Sequence, residues 1–181
     1  MKIYSFFMSL LVLASLLLLE ACDLFKKSDP KPLSEIQKLP PATQTGKNTM
    51  GCLINGKAMV PPTTVDLGAV YQQGILQITG GADNPRQGIA VVIYEINYGL
   101  LSTTSYQLNK FPDSYSEASF QKTASSLCIY GDKSTFAGFV SITKIDRTNY
   151  IVSGTFEFST VTSGCDTLKI TNGRFDIKYI P

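Results

Sequence analysis

The chain has 181 residues, with 16 basic and 14 acidic side chains, a formal net charge of +2 and no histidine. Its near-neutral charge and scattered lysines and arginines argue against nucleic acid as a partner. The lack of histidine removes the commonest general base and the commonest metal ligand. We therefore predict no catalytic residue, no metal site and no cofactor.

The N-terminal segment resembles a lipoprotein export signal. Lys2 precedes an apolar run over residues 3–19, which ends in Leu19-Glu20-Ala21-Cys22. Such a leader, residues 1–21, is removed, and Cys22 becomes the lipidated first residue. The alternative is an uncleaved anchor, since about 17 apolar residues is the lower limit for crossing a bilayer. Both alternatives predict a cell-envelope protein held at the membrane, in the outer membrane or on the cell surface.

The next segment has the composition of a disordered tether. Residues 22–48 hold four prolines and few residues that can form a core. In polyproline geometry, at about 3.1 Å per residue, residues 23–48 would reach roughly 80 Å. This segment is expected to hold the folded domain away from the lipid surface.

From residue 49 the pattern changes to short runs of β-branched and aromatic residues, separated by turn formers every eight to twelve residues. This spacing predicts one all-β domain over residues 49–181, an antiparallel meander forming a β-sandwich or a partly closed barrel. Including the leader, we expect a signal helix, then the disordered tether, then this domain. The predicted strands cover residues 52–60, 69–73, 75–79, 88–98, 105–108, 118–122, 138–145, 150–161 and 167–180.

Glycines and asparagines mark the predicted turns. Asn55-Gly56 predicts a tight hairpin or a bulge, and Gly80-Gly81 with Asp83-Asn84-Pro85 predicts a turn. In the last run, the apolar residues change parity between Ile170 and Phe175. A strand cannot keep both sets inside without an extra residue, so Asn172-Gly173 should be a bulge or a tight turn.

Three cysteines remain once Cys22 is assigned to the lipid. An exported compartment favours one disulfide and one spare thiol. In the C-terminal meander, Cys128 precedes one strand and Cys165 lies between the next two, so both fall at the same end. Cys128–Cys165 is the preferred bridge, although loops can bring other pairs, including those with Cys52, within the required distance.

Two segments resemble an uncharacterised family of Bacteroidetes-type surface lipoproteins. The first is Gly51-Cys52-Leu53-Ile54-Asn55-Gly56-Lys57, and the second is Ser153-Gly154-Thr155-Phe156-Glu157-Phe158, followed by Ile170-Thr171-Asn172-Gly173-Arg174-Phe175-Asp176. The resemblance implies a secreted β-rich domain on a lipid tether, and it implies no activity because the family has none assigned. The glycines and phenylalanines of both segments suit bends and a core.

Tyrosines are the main indication of a binding function. The middle third of the chain holds the candidate ligand-facing residues Tyr94, Tyr98, Tyr106, Tyr115 and Tyr130. Aromatic side chains at the rim of a β domain can stack on sugars or anchor a protein partner, although core packing explains some of them equally well. Arg174, Asp176 and Lys178 lie on one side of the last strand, where a solvated face is favoured over a recognition stripe.

The alternative function is a glycan-active hydrolase. It would use paired carboxylates from Glu95, Asp113 and Glu117, which must lie about 5–9 Å apart. Asp83 and Asp132 are weak calcium candidates in acidic turns. The prediction is a lipid-anchored envelope protein that is a non-enzymatic binding or structural module, with the membrane and a glycan or envelope protein as partners.

Overall fold

The computed structural model of the protein describes residues 31–83, 86–94, 101–108, 116–122, 128–131 and 134–181. Those residues form two short 3-10 helices, Glu35–Lys38 and Thr64–Asp66, and eleven strands. In chain order the strands are β1 (Thr49–Ile54), β2 (Lys57–Met59), β3 (Leu67–Gln72), β4 (Ile75–Asp83), β5 (Arg86–Tyr94), β6 (Ser105–Gln107), β7 (Ser116–Lys122), β8 (Ile129–Tyr130), β9 (Thr135–Asp146), β10 (Ile151–Thr160) and β11 (Leu168–Lys178). The predicted all-β fold is confirmed. No helix in this described part of the chain is long and apolar enough to span a bilayer.

The strands form two antiparallel sheets, which confirms a sandwich. Sheet A has the strand order β2-β1-β11-β10-β9-β6, and sheet B has the order β3-β4-β5-β7-β8. At one edge the end of the chain joins the two sheets. Ile180 pairs with Val70 of β3, donating its N–H to the Ala69 carbonyl at 2.9 Å and accepting one from Tyr71 at 2.8 Å.

The core lies between the sheets, because alternate residues of each strand point inward. In β5 the buried residues are Ile89, Val91 and Ile93, whereas their neighbours remain partly exposed. In sheet A the rings of Phe156 and Phe175 stack with their centroids 6.4 Å apart. The apolar alternation of the sequence therefore becomes the packed interior of the sandwich.

Two hairpins use the turn residues that tight hairpins require. Asn55 and Gly56, which join β1 to β2, have φ of 47° and 80°. Gln73 and Gly74, which join β3 to β4, have φ of 52° and 75°. Positive φ at both central residues is typical of a type I′ turn, whose twist matches that of the strands. Of the two alternatives predicted at Asn55-Gly56, a tight hairpin or a bulge, the structure therefore has the hairpin.

The predicted irregularity in β11 is a bulge. Phe156 of β10 pairs with Gly173 and Phe158 with Ile170, so β11 holds one residue more than its partner. The positive φ belongs to Asn172, at 53°. Gly173 is needed for space, since a Cβ there would lie 2.4 Å from the Phe156 carbonyl oxygen. This extra residue moves the apolar side chains of β11 from even to odd positions.

The turn predicted at Gly80-Gly81 is wrong. Both glycines lie inside β4, where they pair with Ile89 and Gly88 of β5. A Cβ on Gly80 would lie 2.4 Å from the Met50 sulfur. The glycine therefore permits close packing between the sheets, and the strand continues through it.

Residues 33–48, which the composition assigned to the tether, lie against the outer face of sheet A, and we call them the strap. Near its start, the Glu35 carboxylate accepts the N–H of Ala58 in β2 at 2.7 Å. Further along, the Pro40 carbonyl accepts Arg174 Nη1 at 3.3 Å, and the Gln44 carbonyl accepts Lys144 Nζ at 2.9 Å. Residues 33–181 form one compact unit, so the ordered chain begins before residue 49.

The preferred disulfide is confirmed. Cys128 is bonded to Cys165, with 5.8 Å between their Cα atoms and 37 residues between them in sequence. Cys52 is the free, buried cysteine among the described residues. Burial raises the pKa of its thiol to about 12, so it is a poor nucleophile at neutral pH.

Candidate functional site

The candidate site is a cleft of about 700 Å³ at the end of the sandwich that carries the disulfide. We call it the disulfide-end cleft. Residues of both sheets line it: Ile54, Asn55, Lys57, Ala58, Met59, Val60, Ala82, Gln87, Phe120, Lys122, Cys128, Tyr130, Asp166 and Leu168. Its size is in the range of small-molecule sites in proteins.

Three contacts around β8 hold one wall of this cleft. Phe120 of β7 pairs with Tyr130 of β8, and their rings meet edge to face with centroids 5.9 Å apart. The Tyr130 hydroxyl donates to the Asp166 carbonyl at 2.8 Å. The disulfide ties the segment before β8 to the loop before β11. The wall is therefore held by a covalent bond, a hydrogen bond and a ring contact.

The opposite wall comes from the first hairpin. Cys52 of β1 pairs with Met59 of β2, and Ile54 pairs with Lys57. Met59 is buried, whereas Lys57 is exposed beside the turn. The hairpin therefore supplies an apolar side chain to the interior and a cation to the rim.

Among the described residues that line the cleft, the charged side chains are two lysines and one aspartate. Lys57 and Lys122 come from opposite sheets, and Asp166 lies near the disulfide. An apolar floor with cations at the rim can take an apolar body that ends in an anionic group, since the ammonium groups attract the anion and remain hydrated. Neither lysine was singled out from the sequence, because scattered lysines carry no local signal.

A second, shallower hollow of about 410 Å³ crosses sheet B. Small residues on its outer face, Gly68, Thr79, Ala90 and Ser119, pair side by side across four strands. The hollow arises from missing side-chain volume on the sheet surface, whereas the disulfide-end cleft is larger and more enclosed. We therefore place the candidate site in the disulfide-end cleft.

The structure separates the described candidate tyrosines. Tyr130 is 5% exposed and belongs to the core beside the cleft. Tyr94 lies on β5 in sheet B and donates to Glu117 at 2.8 Å, whereas Tyr106 lies on β6 at the far edge of sheet A. Tyr98 and Tyr115 lie outside the described residues, as does Cys22. Of the five tyrosines, the described part of the chain places one at the cleft.

Of the three carboxylates considered for a hydrolase, the structure describes Glu117. Glu117 accepts the Tyr94 hydroxyl on sheet B, while Glu95, Asp113 and Asp132 lie outside the described residues. Asp83 is exposed at the end of β4. No group of three or more cysteine and carboxylate side chains within the described ranges is placed to hold a metal.

The solvated face predicted for the last strand is wrong at Asp176. This side chain is 1% exposed, because the strap covers it. Its Oδ1 accepts hydrogen bonds from Gly46 N at 2.7 Å and Ser153 Oγ at 2.8 Å. Its Oδ2 accepts three more, from Thr43 Oγ1 at 2.6 Å, Thr45 N at 3.0 Å and Lys47 N at 3.2 Å.

Burial by itself would raise the pKa of Asp176. The hydrogen bonds from Thr43, Ser153 and the backbone of residues 45–46 outweigh that effect and hold the pKa well below its usual range. The carboxylate is therefore ionised at neutral pH, and it fixes the strap on sheet A. Its role is structural.

Comparison with known proteins gives a family. No curated protein and no solved structure matches the chain. A family model described as a domain of unknown function, DUF6252, matches residues 63–177, which include sheet B and most of sheet A. With well over half of its length covered by that match, the chain belongs to the DUF6252 family.

Proposed function

We propose that this protein is a lipid-anchored cell-envelope protein, in the outer membrane or on the cell surface, whose sandwich is a non-enzymatic binding module. The support for the anchor is the leader, in which an apolar run over residues 3–19 precedes Cys22. The Cys128–Cys165 disulfide is consistent with an exported location, because such bonds persist outside the reducing cytoplasm.

The binding role is carried by the disulfide-end cleft. Its floor includes Met59, Phe120 and Leu168, and its rim includes Lys57 and Lys122. Apolar surface binds an apolar ligand, and the two ammonium groups select an anionic end over a cationic one. The ligand class that fits is an anionic amphiphile, such as a fatty acid or an alkyl phosphate.

Mass spectrometry of the protein purified from cell membranes tests the anchor. We expect the N-terminal peptide to begin at Cys22 with added acyl mass, and a Cys22→Ser variant to lose it. An intact Met1, or an unmodified cysteine at this position in the natural protein, would contradict the anchor.

Titration with dodecyl phosphate tests the cleft, with dodecyltrimethylammonium as the ligand of opposite charge. We expect the phosphate to bind and a Lys57→Gln/Lys122→Gln variant to bind it several-fold more weakly. Lys178→Gln is the matched control, because Lys178 is an exposed lysine at the far end of β11. Equal binding of both amphiphiles, or equal loss in the control, would refute this assignment.

A further inference from the structure

We propose that a defined surface of the sandwich rests on an anionic phospholipid membrane. The surface consists of Leu33, Ile36, Lys57 and Val60, and we call it the tether patch. The inference rests on the proposed lipid at Cys22, and it concerns which side of the domain that lipid holds against the bilayer.

The first support is covalent reach. Leu33, the first residue of the compact unit, lies eleven positions after Cys22 in the chain. At no more than about 3.6 Å per residue, this stretch spans at most about 40 Å in any conformation. This limit is half the reach expected for a tether that continues to residue 48. The part of the domain at Leu33 must therefore stay near the lipid.

The second support is that the strap is fixed to one place on the domain. The Glu35 carboxylate accepts the N–H of Ala58, next to Lys57 in β2. Leu39, Pro40 and Val60 all lie within 3.4 Å of the space that a Cβ on Gly51 would occupy. Further along, Asp176 accepts four hydrogen bonds from residues 43–47. The strap is therefore held at several points, and its first residues lie at the β2 edge of sheet A.

The third support is the chemistry of this surface. The exposed fractions of Leu33, Ile36 and Val60 are 60%, 48% and 37%, so three aliphatic side chains from the strap and the residue after β2 remain accessible to solvent. Lys57 is exposed beside them. In the sequence, residues 26–38 hold four lysines and two carboxylates. Aliphatic side chains among lysines suit the interface of an anionic bilayer.

Because the domain is tethered to the membrane, even a weak contact between the tether patch and the lipid is enough for docking. A lipid anchor turns docking of the patch into an intramolecular event at high effective concentration. We therefore expect the patch to dock when the chain is anchored. Because Lys57 and Val60 also line the disulfide-end cleft, docking would place the rim of the cleft at the lipid surface.

Tryptophan fluorescence tests this proposal, because the sequence contains no tryptophan. Ile36→Trp places the one fluorophore in the patch. Ile75→Trp is the matched control, since Ile75 is 39% exposed at the opposite end of β4 from Ala82. Ala82 and Ala58 both line the cleft. Ile75 lies seven positions from Ala82 along β4, which is about 23 Å.

The anchor for the test is supplied chemically. The chain over residues 22–181 is coupled through the Cys22 thiol to a maleimide lipid in vesicles of phosphatidylethanolamine and brominated phosphatidylglycerol. Cys128 and Cys165 are bonded to each other, and Cys52 is buried, so coupling is selective. Lipidation in the cell is read separately, from the mass of the natural N-terminal peptide, so the two proposals fail independently.

We expect bromine to quench Ile36→Trp several-fold more strongly than Ile75→Trp. The difference should shrink when brominated phosphatidylcholine replaces the phosphatidylglycerol. Equal quenching at the two positions, or none at Ile36→Trp, would show that the patch does not face the bilayer. Undiminished quenching on the neutral vesicles would overturn the assignment to anionic lipid.

Discussion

Replacing Asp176 with asparagine preserves the shape of the side chain and removes the charge that holds the strap on sheet A. The two carboxylate oxygens accept two and three hydrogen bonds, respectively. An amide offers one oxygen and one NH₂ group. Whichever way it turns, its NH₂ group faces at least one backbone N–H that cannot accept: that of Gly46 in one orientation, and those of Thr45 and Lys47 in the other.

The magnitude follows from the number of mismatched donors. A buried donor left unpaired costs about 1–3 kcal/mol, and hydrogen bonds to a charged acceptor contribute about 1.5–3 kcal/mol each. Asp176 is 1% exposed, so water cannot replace the lost acceptor without moving the strap. We expect Asp176→Asn to lower the free energy of unfolding by about 3 kcal/mol, and residues 43–47 to detach before the sheets separate.

Urea denaturation and amide hydrogen exchange check this expectation. Exchange at Thr45, Gly46 and Lys47 should accelerate by orders of magnitude, while the amides that pair β9 with β10 stay protected. Asp83→Asn makes the same chemical change at an exposed position and should alter stability by less than about 0.5 kcal/mol. The reasoning is refuted if Asp176→Asn unfolds at the same urea concentration as the natural protein and keeps the three amides protected.

Three other predictions come from the same contacts. The pKa of Asp176 is lowered on folding, so its stabilisation is complete above the unfolded value of about 3.8 and is lost as pH falls through and below it. The protection factors of the strap amides, which compare intrinsic with observed exchange rates, should therefore fall below that pH in the natural protein, and unchanged protection would contradict this. Gly173→Ala should destabilise the fold by about 2–3 kcal/mol, because the added Cβ would meet the Phe156 carbonyl. The control Gly131→Ala adds a Cβ with nothing within 4 Å, so thermal melts should show almost no change. Cys128→Ser/Cys165→Ser should lose about 3–4 kcal/mol by opening a 37-residue loop, and an unchanged urea midpoint would count against a stabilising disulfide.

Local rules predicted much of this fold. Alternation of apolar residues located the strands of the C-terminal meander, because side chains of a strand point to its two faces in turn. Asn55-Gly56 predicted a tight connection, since few other residue pairs adopt positive φ twice. The disulfide followed from strand order, which places Cys128 and Cys165 at one end of the meander. The change of parity in β11 predicted a bulge or a tight turn, and the structure has a bulge.

Long-range contacts decided the remainder. Composition assigned residues 33–48 to a disordered tether, yet those residues are held by a carboxylate about 130 positions away in the chain. Asp176 reads as a surface residue in an alternating charged strand, and only the folded strap supplies the donors that allow it to be buried. In the sequence, Gly80 indicates a turn. In the structure, its lack of a side chain leaves room for Met50 of the other sheet.

The candidate site shows the same division. No predicted strand contained Tyr130, which lies in the short strand β8. Nothing in the sequence indicated that Lys57 and Lys122 line one cleft, since they are 65 positions apart and come from different sheets. The sequence by itself predicted most of the strands and the tight turn at Asn55-Gly56, because each depends on residues adjacent in the chain. The tertiary structure alone decided where the strap binds and which charges meet, because burial and electrostatic attraction depend on distance in space.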